Sequence, residues 1–319
     1  KLLPSIIYLG TSWAIYNLCK SIDLSKSNSI SCALLFLFIP GVSFSSFIIS
    51  TDLTLLLFWT LSLNELVKVI KFQRVQNFFL LGIFLGLAFM SKYAAIYFII
   101  CILVYIFSDT KFRKILLGHY FGFFISFFCI IIISLPNVIW NLNTNWVTFI
   151  HTSDNANLQN IDYDIVRGLI FLCAQILMLG PFLFLGNIVN FTNININQYQ
   201  KLMLVFSLPI ILIVFIEAIV VRANANWAAP ALISLYVFLY TGITNLIIQR
   251  VNIIFNFVFC FIFFLLIGIN YPSTLFNRIS GISEFSQNIY LKGHNNNIEN
   301  IVVSDRLLFA NMGYILKNK

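Results

Sequence analysis

The sequence predicts an all-α polytopic membrane protein, a bundle of about ten helices over residues 1–270 with the start of a small α/β soluble tail over 271–319. Three observations carry that reading. The chain of 319 residues is 60% hydrophobic and 9% charged, with a mean hydropathy of +0.93, where soluble domains carry about 25% charged residues. Its apolar residues form long continuous runs, which suit helices and not the alternating strands of a membrane barrel. Its cations gather in every second connection, the bias that marks the cytoplasmic loops of multi-pass proteins.

The runs predict helices near 3–19, 30–49, 52–67, 76–90, 93–108, 115–139, 165–190, 202–221, 227–248 and 251–270. The first ends at Lys20 and Lys26; the second runs to a polar Ser50-Thr51-Asp52. The third stops before Lys68, Lys71 and Arg74. The fourth and fifth flank Ser91-Lys92-Tyr93, and both are short for a span of roughly 20 residues, so they are expected to extend into their flanks. Lys111, Arg113 and Lys114 precede the sixth, and the polar stretch Trp140–Asp164 separates it from the seventh. Lys201 opens the eighth, Arg222–Trp227 turns into the ninth, and Arg250 opens the tenth. With basic loops cytoplasmic, residue 1, residues 140–164 and the tail all fall on the other side.

In the tail, Gly281–Asn300 is polar, and Ile282, Phe285 and Ile289 have helical spacing. Ile301-Val302-Val303 reads as a buried strand, and Ser304 or Asp305 as the cap of a helix with Leu307, Leu308, Phe309, Met312 and Ile315 on its apolar side. The chain opens at the mouth of an apolar run and closes inside a helical pattern, and so is expected to be a piece of a longer protein.

The net charge of +8 is a loop property, not a basic soluble face, and gives no reason to expect nucleic acid. Cys19, Cys32, Cys101, Cys129, Cys173 and Cys260 lie in or beside apolar runs without metal-ligand spacing, so they read as small hydrophobes and not as a disulfide framework or zinc site. No phosphate-binding loop, dinucleotide glycine motif, nucleophile elbow or His-Glu-x-x-His pattern occurs, so no cofactor is called for by motif.

The chemistry-bearing residues fall mainly in the poorly basic connections. Asp52 reads either as an N-cap or first-turn acid favoured by the helix dipole, or as an acid held at the membrane surface and facing a cavity. Lys92 reads either as a snorkelling anchor or as a cation for a lipid-linked phosphate. Glu217 interrupts the apolar run Ile210–Val221 and needs a partner or a wet cavity; Arg222, about one turn on, is the residue it is expected to orient. Arg222 suits a phosphate through its fork of donors. Trp140, Trp146 and Trp227 fit interfacial anchors as well as sugar-stacking rings, and His151 is a lone histidine of the kind more often structural than catalytic.

Four ordered motifs add to this: Thr51-Asp52-Leu53-Thr54 and its apolar continuation to Phe58; Gly86-Leu87-Ala88-Phe89-Met90-Ser91-Lys92-Tyr93; Pro136-Asn137-Val138-Ile139-Trp140-Asn141 followed by Trp146-Val147-Thr148-Phe149; and Ala225-Asn226-Trp227-Ala228-Ala229-Pro230. The set resembles bacterial members of glycosyltransferase family 39, the dolichyl-phosphate-mannose protein mannosyltransferases and aminoarabinose-type lipid A transferases. The resemblance spans residues 1–270 and implies a GT-C fold. It also implies an enzyme of the bacterial cytoplasmic membrane that takes a sugar from a polyprenyl phosphate and transfers it on the periplasmic face. The acceptor is then a lipid, glycan or protein. Asp52 matches the family's Thr-Pro-Asp position without its proline, and Lys92 matches its Ser-Lys-Tyr position; relatives often have His-Gly where this chain has Thr144-Asn145. Asp52 is the catalytic candidate here, although the family's best-known acid lies in a first outer loop that is expected to precede this chain. Lys92 and Arg222 are the candidates for the donor phosphate, with Tyr93, Asn141, Trp146, Glu217, Asn226 and Trp227 lining the site. The departing phosphate needs cations or a divalent metal to stabilise it, and no metal ligand set is identified. The alternative class is a transporter or lipid flippase, which would place ionisable groups near the bilayer midplane, often in repeated halves.

Overall fold

The computed structural model describes residues 2–156, 161–189, 196–243, 245–269, 281–296 and 301–317. Every apolar run contains helix, but the runs are more broken than the sequence suggests. The first gives α1 (Leu3–Ser21), with Pro4 in its first turn, where a missing N–H costs nothing. The second splits into α2 (Lys26–Phe38), capped by Ser25 on the Asn28 amide, and a short α3 (Pro40–Ser45). Ile39 is extended at φ −64° and ψ 145°, as a residue before proline tends to be. Next come α4 (Thr51–Phe72), ended by Gln73 in the left-handed region, and α5 (Val75–Ser91).

After Lys92, a 3-10 turn (Tyr93–Ala95) leads into α6 (Ile96–Ser108), and α7 (Thr110–Gly118) is bent from that segment by 109°. The expected helix 115–139 therefore begins late: Ile115–Gly118 belong to α7, and α8 runs Tyr120–Asn143. Asp109 breaks the chain between α6 and α7 by leaving the helical region and accepting the Phe112 amide. Then follow α9 (Val147–Ala156), α10 (Ile165–Leu179) and α11 (Pro181–Val189), the last two bent by 94°. That break sits at Gly180, whose φ of +94° suits glycine, followed by Pro181. The remaining helices of the membrane part are α12 (Gln198–Val205), α13 (Leu208–Val220), α14 (Ala229–Gly242) and α15 (Leu246–Ile269), with a 3-10 turn at Ala225–Ala228 before α14.

Among the described residues, four segments are by themselves long and apolar enough to cross a membrane: Thr51–Phe72, Tyr120–Asn143, Gln198–Val220 and Ile247–Ile269. The two bent pairs, Tyr93–Ser108 with Thr110–Gly118 and Ile165–Leu179 with Pro181–Ile188, have the length for two more. The chain is an all-α, multi-pass membrane protein.

It divides into two compact units, Lys1–Phe259 and Cys260–Lys319. The expected boundary at 270/271 lies outside the described residues. In the second unit, α16 (Ile282–Asn295) packs on α17 (Arg306–Leu316), and Asp305 caps α17 through the Leu308 amide. Ile301-Val302-Val303 does not form the expected strand, and no strand occurs among the described residues. A strand needs a partner for its backbone groups, and the neighbouring described segments are helices that offer no edge.

In the first unit α4 is the axis. It packs on α1, α5 and α14, and Trp59 at its middle is fully buried with its ring edge-on to Phe98 and Phe206. A helix of 22 residues is about 33 Å long, so it separates two ends of the bundle by roughly a membrane thickness. At one end are Asp52, Lys92 and Arg222–Asn226. At the other, Lys71 pairs with Asp23 at 2.8 Å and lies over the Tyr199 ring, and Lys201 pairs with Asp109 at 3.9 Å. Towards that second end, buried Glu65 is held by Lys68 at 2.6 Å and by Asn77 of α5 at 2.9 Å, so its charge is matched within the helix pair.

α5 and α8 approach closely because Gly82 has no side chain. A Cβ at Gly82 would run into the Ser126 carbonyl oxygen, and Ser126 Oγ already donates to the Phe78 carbonyl at 2.6 Å. We predict that Gly82→Val forces these helices apart, lowering stability by about 1–3 kcal/mol. A thermal melt of the detergent-solubilised protein at the wild-type Tm would contradict that crossing.

Candidate active site

The end of the bundle that carries Asp52 holds a cavity of about 940 Å³. Lys92, Tyr93, Glu217, Arg222 and Trp227 line it, and the structure therefore brings together residues from the junction of α5 and α6 and from the turn between α13 and α14. Asp52 and Asn226 join the cluster through hydrogen bonds. Asn141 lies fully buried beside it, and Trp146 stands exposed near the start of α9.

Asp52 is not the cap of α4. Ser50 occupies the cap position without a side-chain bond, and Asp52 lies within the first turn. Its carboxylate is used elsewhere: Oδ1 accepts from Lys92 Nζ at 2.7 Å, and Oδ2 accepts from Asn226 Nδ2 at 2.8 Å. The pair is largely sheltered, with the Asp52 side chain 13% and the Lys92 side chain 28% exposed. Lys92 is extended at φ −164° and ψ 138° between α5 and the following turn, which lets its side chain leave the helix and reach α4.

Tyr93, the next residue, is a hub. Its hydroxyl donates to Asn137 Oδ1 at 2.7 Å, accepts from Asn141 Nδ2 at 3.1 Å and lies 2.7 Å from Thr148 Oγ1. Thr148 in turn donates to Asn141 Oδ1 at 2.5 Å. The Tyr93 ring stacks on Phe149 at 4.8 Å, and Trp146 meets Phe149 edge-on at 5.3 Å. One phenol thus ties the α5–α6 junction to the end of α8 and the start of α9, and fixes the cavity wall that Thr148, His151 and Thr152 complete. Asn137, Thr148, Thr152 and Tyr97 are lining residues that the sequence reading did not single out. The usable sign was Asn137, one helical turn before Asn141 on the same face.

The turn that carries Arg222 is anchored by its neighbours. The Arg167 guanidinium donates to the carbonyls of Val221 and Asp162 and pairs with Asp164 at 3.4 Å. The Asp162 and Asp164 amides donate to Val220 and Ile219 at 3.0 and 2.9 Å, and Gln175 Nε2 reaches the Ala225 carbonyl at 3.1 Å. Arg222 itself is exposed and, among the described residues, has no ion-pair partner. In particular it makes none with Glu217, against expectation. α13 ends at Val220 and Val221 leaves helical geometry, so Arg222 is carried off the face on which Glu217 sits.

No group of three or more His, Cys, Asp or Glu side chains fit to hold a metal occurs among the described residues. Both oxygens of Asp52 are already engaged by nitrogen donors, so the side chains here do not form a ready ligand set.

Residues 2–140 match the family model described as dolichyl-phosphate-mannose-protein mannosyltransferase. Among curated proteins, the chain is 29% identical over 203 residues to a lipid A galacturonosyltransferase of Rhizobium johnstonii, an alignment covering 61% of this chain and 41% of the relative. The chain thus spans less than half the length of that relative. No solved structure matches. The family match covers Asp52, Lys92, Tyr93 and Asn137, while Glu217, Arg222, Asn226 and Trp227 lie beyond it. Helical architecture, ordered motifs and both matches point the same way: over residues 2–140 the chain is similar to the dolichyl-phosphate-mannose-protein mannosyltransferases, and over 203 residues to a membrane glycosyltransferase.

Proposed function

We propose that the protein moves a sugar from a polyprenyl-phosphate donor to a lipid, glycan or protein acceptor, on the periplasmic face of the bacterial inner membrane. The observation that carries this reading is the pair of cations at one cavity: Lys92, held by Asp52, and Arg222, which has no ion-pair partner among the described residues. A cation left without a counter-charge at the mouth of a membrane cavity suits a ligand that brings an anion. A lipid phosphate does so while its chain stays in the bilayer. The ionisable residues of this cavity cluster at one end of the bundle, which fits chemistry at a membrane surface better than passage through the midplane.

The transfer needs an acceptor oxygen to attack the anomeric carbon and lose its proton to a base, while the bond from that carbon to the phosphate oxygen breaks and the phosphate keeps the electron pair. Lys92 and Arg222 are placed to stabilise that departing charge, Arg222 with two parallel donors. Asp52, with both oxygens receiving hydrogen bonds, is better suited to position Lys92 than to take the proton. Tyr93, Asn141 and Trp146 keep the α9 wall in place, and Trp227 is the aromatic side chain in the cavity lining suited to a sugar.

Two outcomes follow. In lipid nanodiscs, Arg222→Gln and Lys92→Gln should each weaken binding of a polyprenyl phosphate about ten- to a hundred-fold, the loss of one charge-assisted contact worth roughly 1.5–3 kcal/mol. Wild-type affinity in both variants would sink the phosphate site. For the facing, cysteines placed at Asn145 and at Lys111 in a Cys173→Ser background should divide: an impermeant thiol reagent added to intact cells labels the first and spares the second. The reverse pattern would put the cavity on the cytoplasmic side.

A further inference from the structure

Glu217 is the one carboxylate of this cavity that the reading above leaves without a task. It lies near the end of α13, whose other residues, Leu208–Val220, are apolar apart from Pro209. A carboxylate is costly in such a segment unless something meets it. Its side chain is half-buried and lines the same cavity as Lys92 and Arg222, yet among the described residues it has no hydrogen-bond or ion-pair partner. Asp52 differs: its two oxygens are occupied by Lys92 and Asn226.

Charge balance then says what Glu217 can meet. Lys92 and Asp52 neutralise each other, which leaves Arg222 and Glu217 as the uncompensated pair of the wall. Once the phosphodiester of a donor settles on Arg222, Glu217 is the remaining charge, and it is negative. A sugar that carries its own carboxylate would set a second anion beside it in a poorly screened cavity, where like charges repel strongly. A sugar hydroxyl or amine instead donates a charge-assisted hydrogen bond to it. We infer, resting on the donor reading above, that Glu217 selects the donor sugar, accepting hydrogen bonds from its hydroxyl or amine groups and rejecting hexuronic acids. Discrimination by a repulsive group is as effective as discrimination by a fitted one. The cavity volume, about 940 Å³, leaves room for a sugar beside the phosphate.

The test compares three probes on the purified chain in nanodiscs: a short polyprenyl-phosphate hexose, the matching polyprenyl-phosphate hexuronic acid, and the bare polyprenyl phosphate. The wild type should bind the hexose at least roughly ten-fold more tightly than the hexuronic acid. Glu217→Gln keeps the shape and removes the charge, and should bring that ratio close to one; Glu217→Asp should keep the preference. Binding of the bare phosphate reports that each variant is folded. Equal affinity for the two sugars in the wild type, or a ratio unchanged in Glu217→Gln, overturns the inference while leaving the phosphate site standing. If the bare phosphate does not bind, or binds equally well in both Arg222→Gln and Lys92→Gln, the donor reading fails and this inference falls with it.

Discussion

The carboxylate of Asp52 is the junction on which the candidate site depends. It joins Lys92, 40 residues further on, to Asn226, 174 residues away, and so closes three separate chain segments around one end of α4. The reason such a junction holds is the setting. Ammonium and carboxylate at 2.7 Å are mostly sheltered from water, so removing either would leave its partner exposed to a poorly polar surrounding. Exposed pairs of this kind contribute little; here the pair fixes geometry. Lys92 cannot wander to the lipid headgroups as a snorkelling lysine would, and Asn226 holds the turn that follows Arg222 close to the start of α4.

The same logic recurs at the opposite end with a different result. Glu65 is also buried, but Lys68 and Asn77 engage its two oxygens from within α4 and α5. Lys71 and Lys201 likewise have acids facing them. Lys68, Lys71 and Lys201 at that end are each paired with an acid, whereas at the Asp52 end Arg222 and Glu217 line an open volume. A buried carboxylate whose partners lie on the helices around it stabilises packing; in the proposed reading, the charges left without a partner beside the cavity are where a ligand binds.

How much of this the sequence disclosed depends on the residue. The helical class, the helix over Ile282–Asn295 and the Asp305 cap follow from local pattern and came out as expected. That Lys92, Tyr93, Arg222 and Trp227 share one wall is in keeping with the alternation of basic and non-basic connections, which assigns them to one end; Glu217, inside an apolar run, is not placed by it. What was not legible is pairing at a distance. Nothing near Asp52 in the chain says that its oxygens go to Lys92 and Asn226 and not to its own helix. The helix breaks at Ile39–Pro40, Asp109 and Gly180–Pro181 were each marked by a Pro, a Gly or a capping acid, but hydropathy runs straight across them. The strand expected at Ile301–Val303 failed for the converse reason: three β-branched residues favour extension but cannot supply the neighbour that a ladder requires.

The mislaid pair of Glu217 and Arg222 shows the same limit in a form that bears on chemistry. Five residues along an ideal helix would leave them about 140° apart, so even an unbroken α13 would not have joined them. The chain instead leaves the helix at Val221 and fastens the following turn through Arg167 and Gln175, spending one arginine to hold the backbone that presents another. Had Glu217 and Arg222 met, the wall would be neutral and self-contained, like the Glu65 cluster. Kept apart, they are a cation and an anion lining one volume, which in the proposed reading suits a ligand with an anionic end and a hydrogen-donating end.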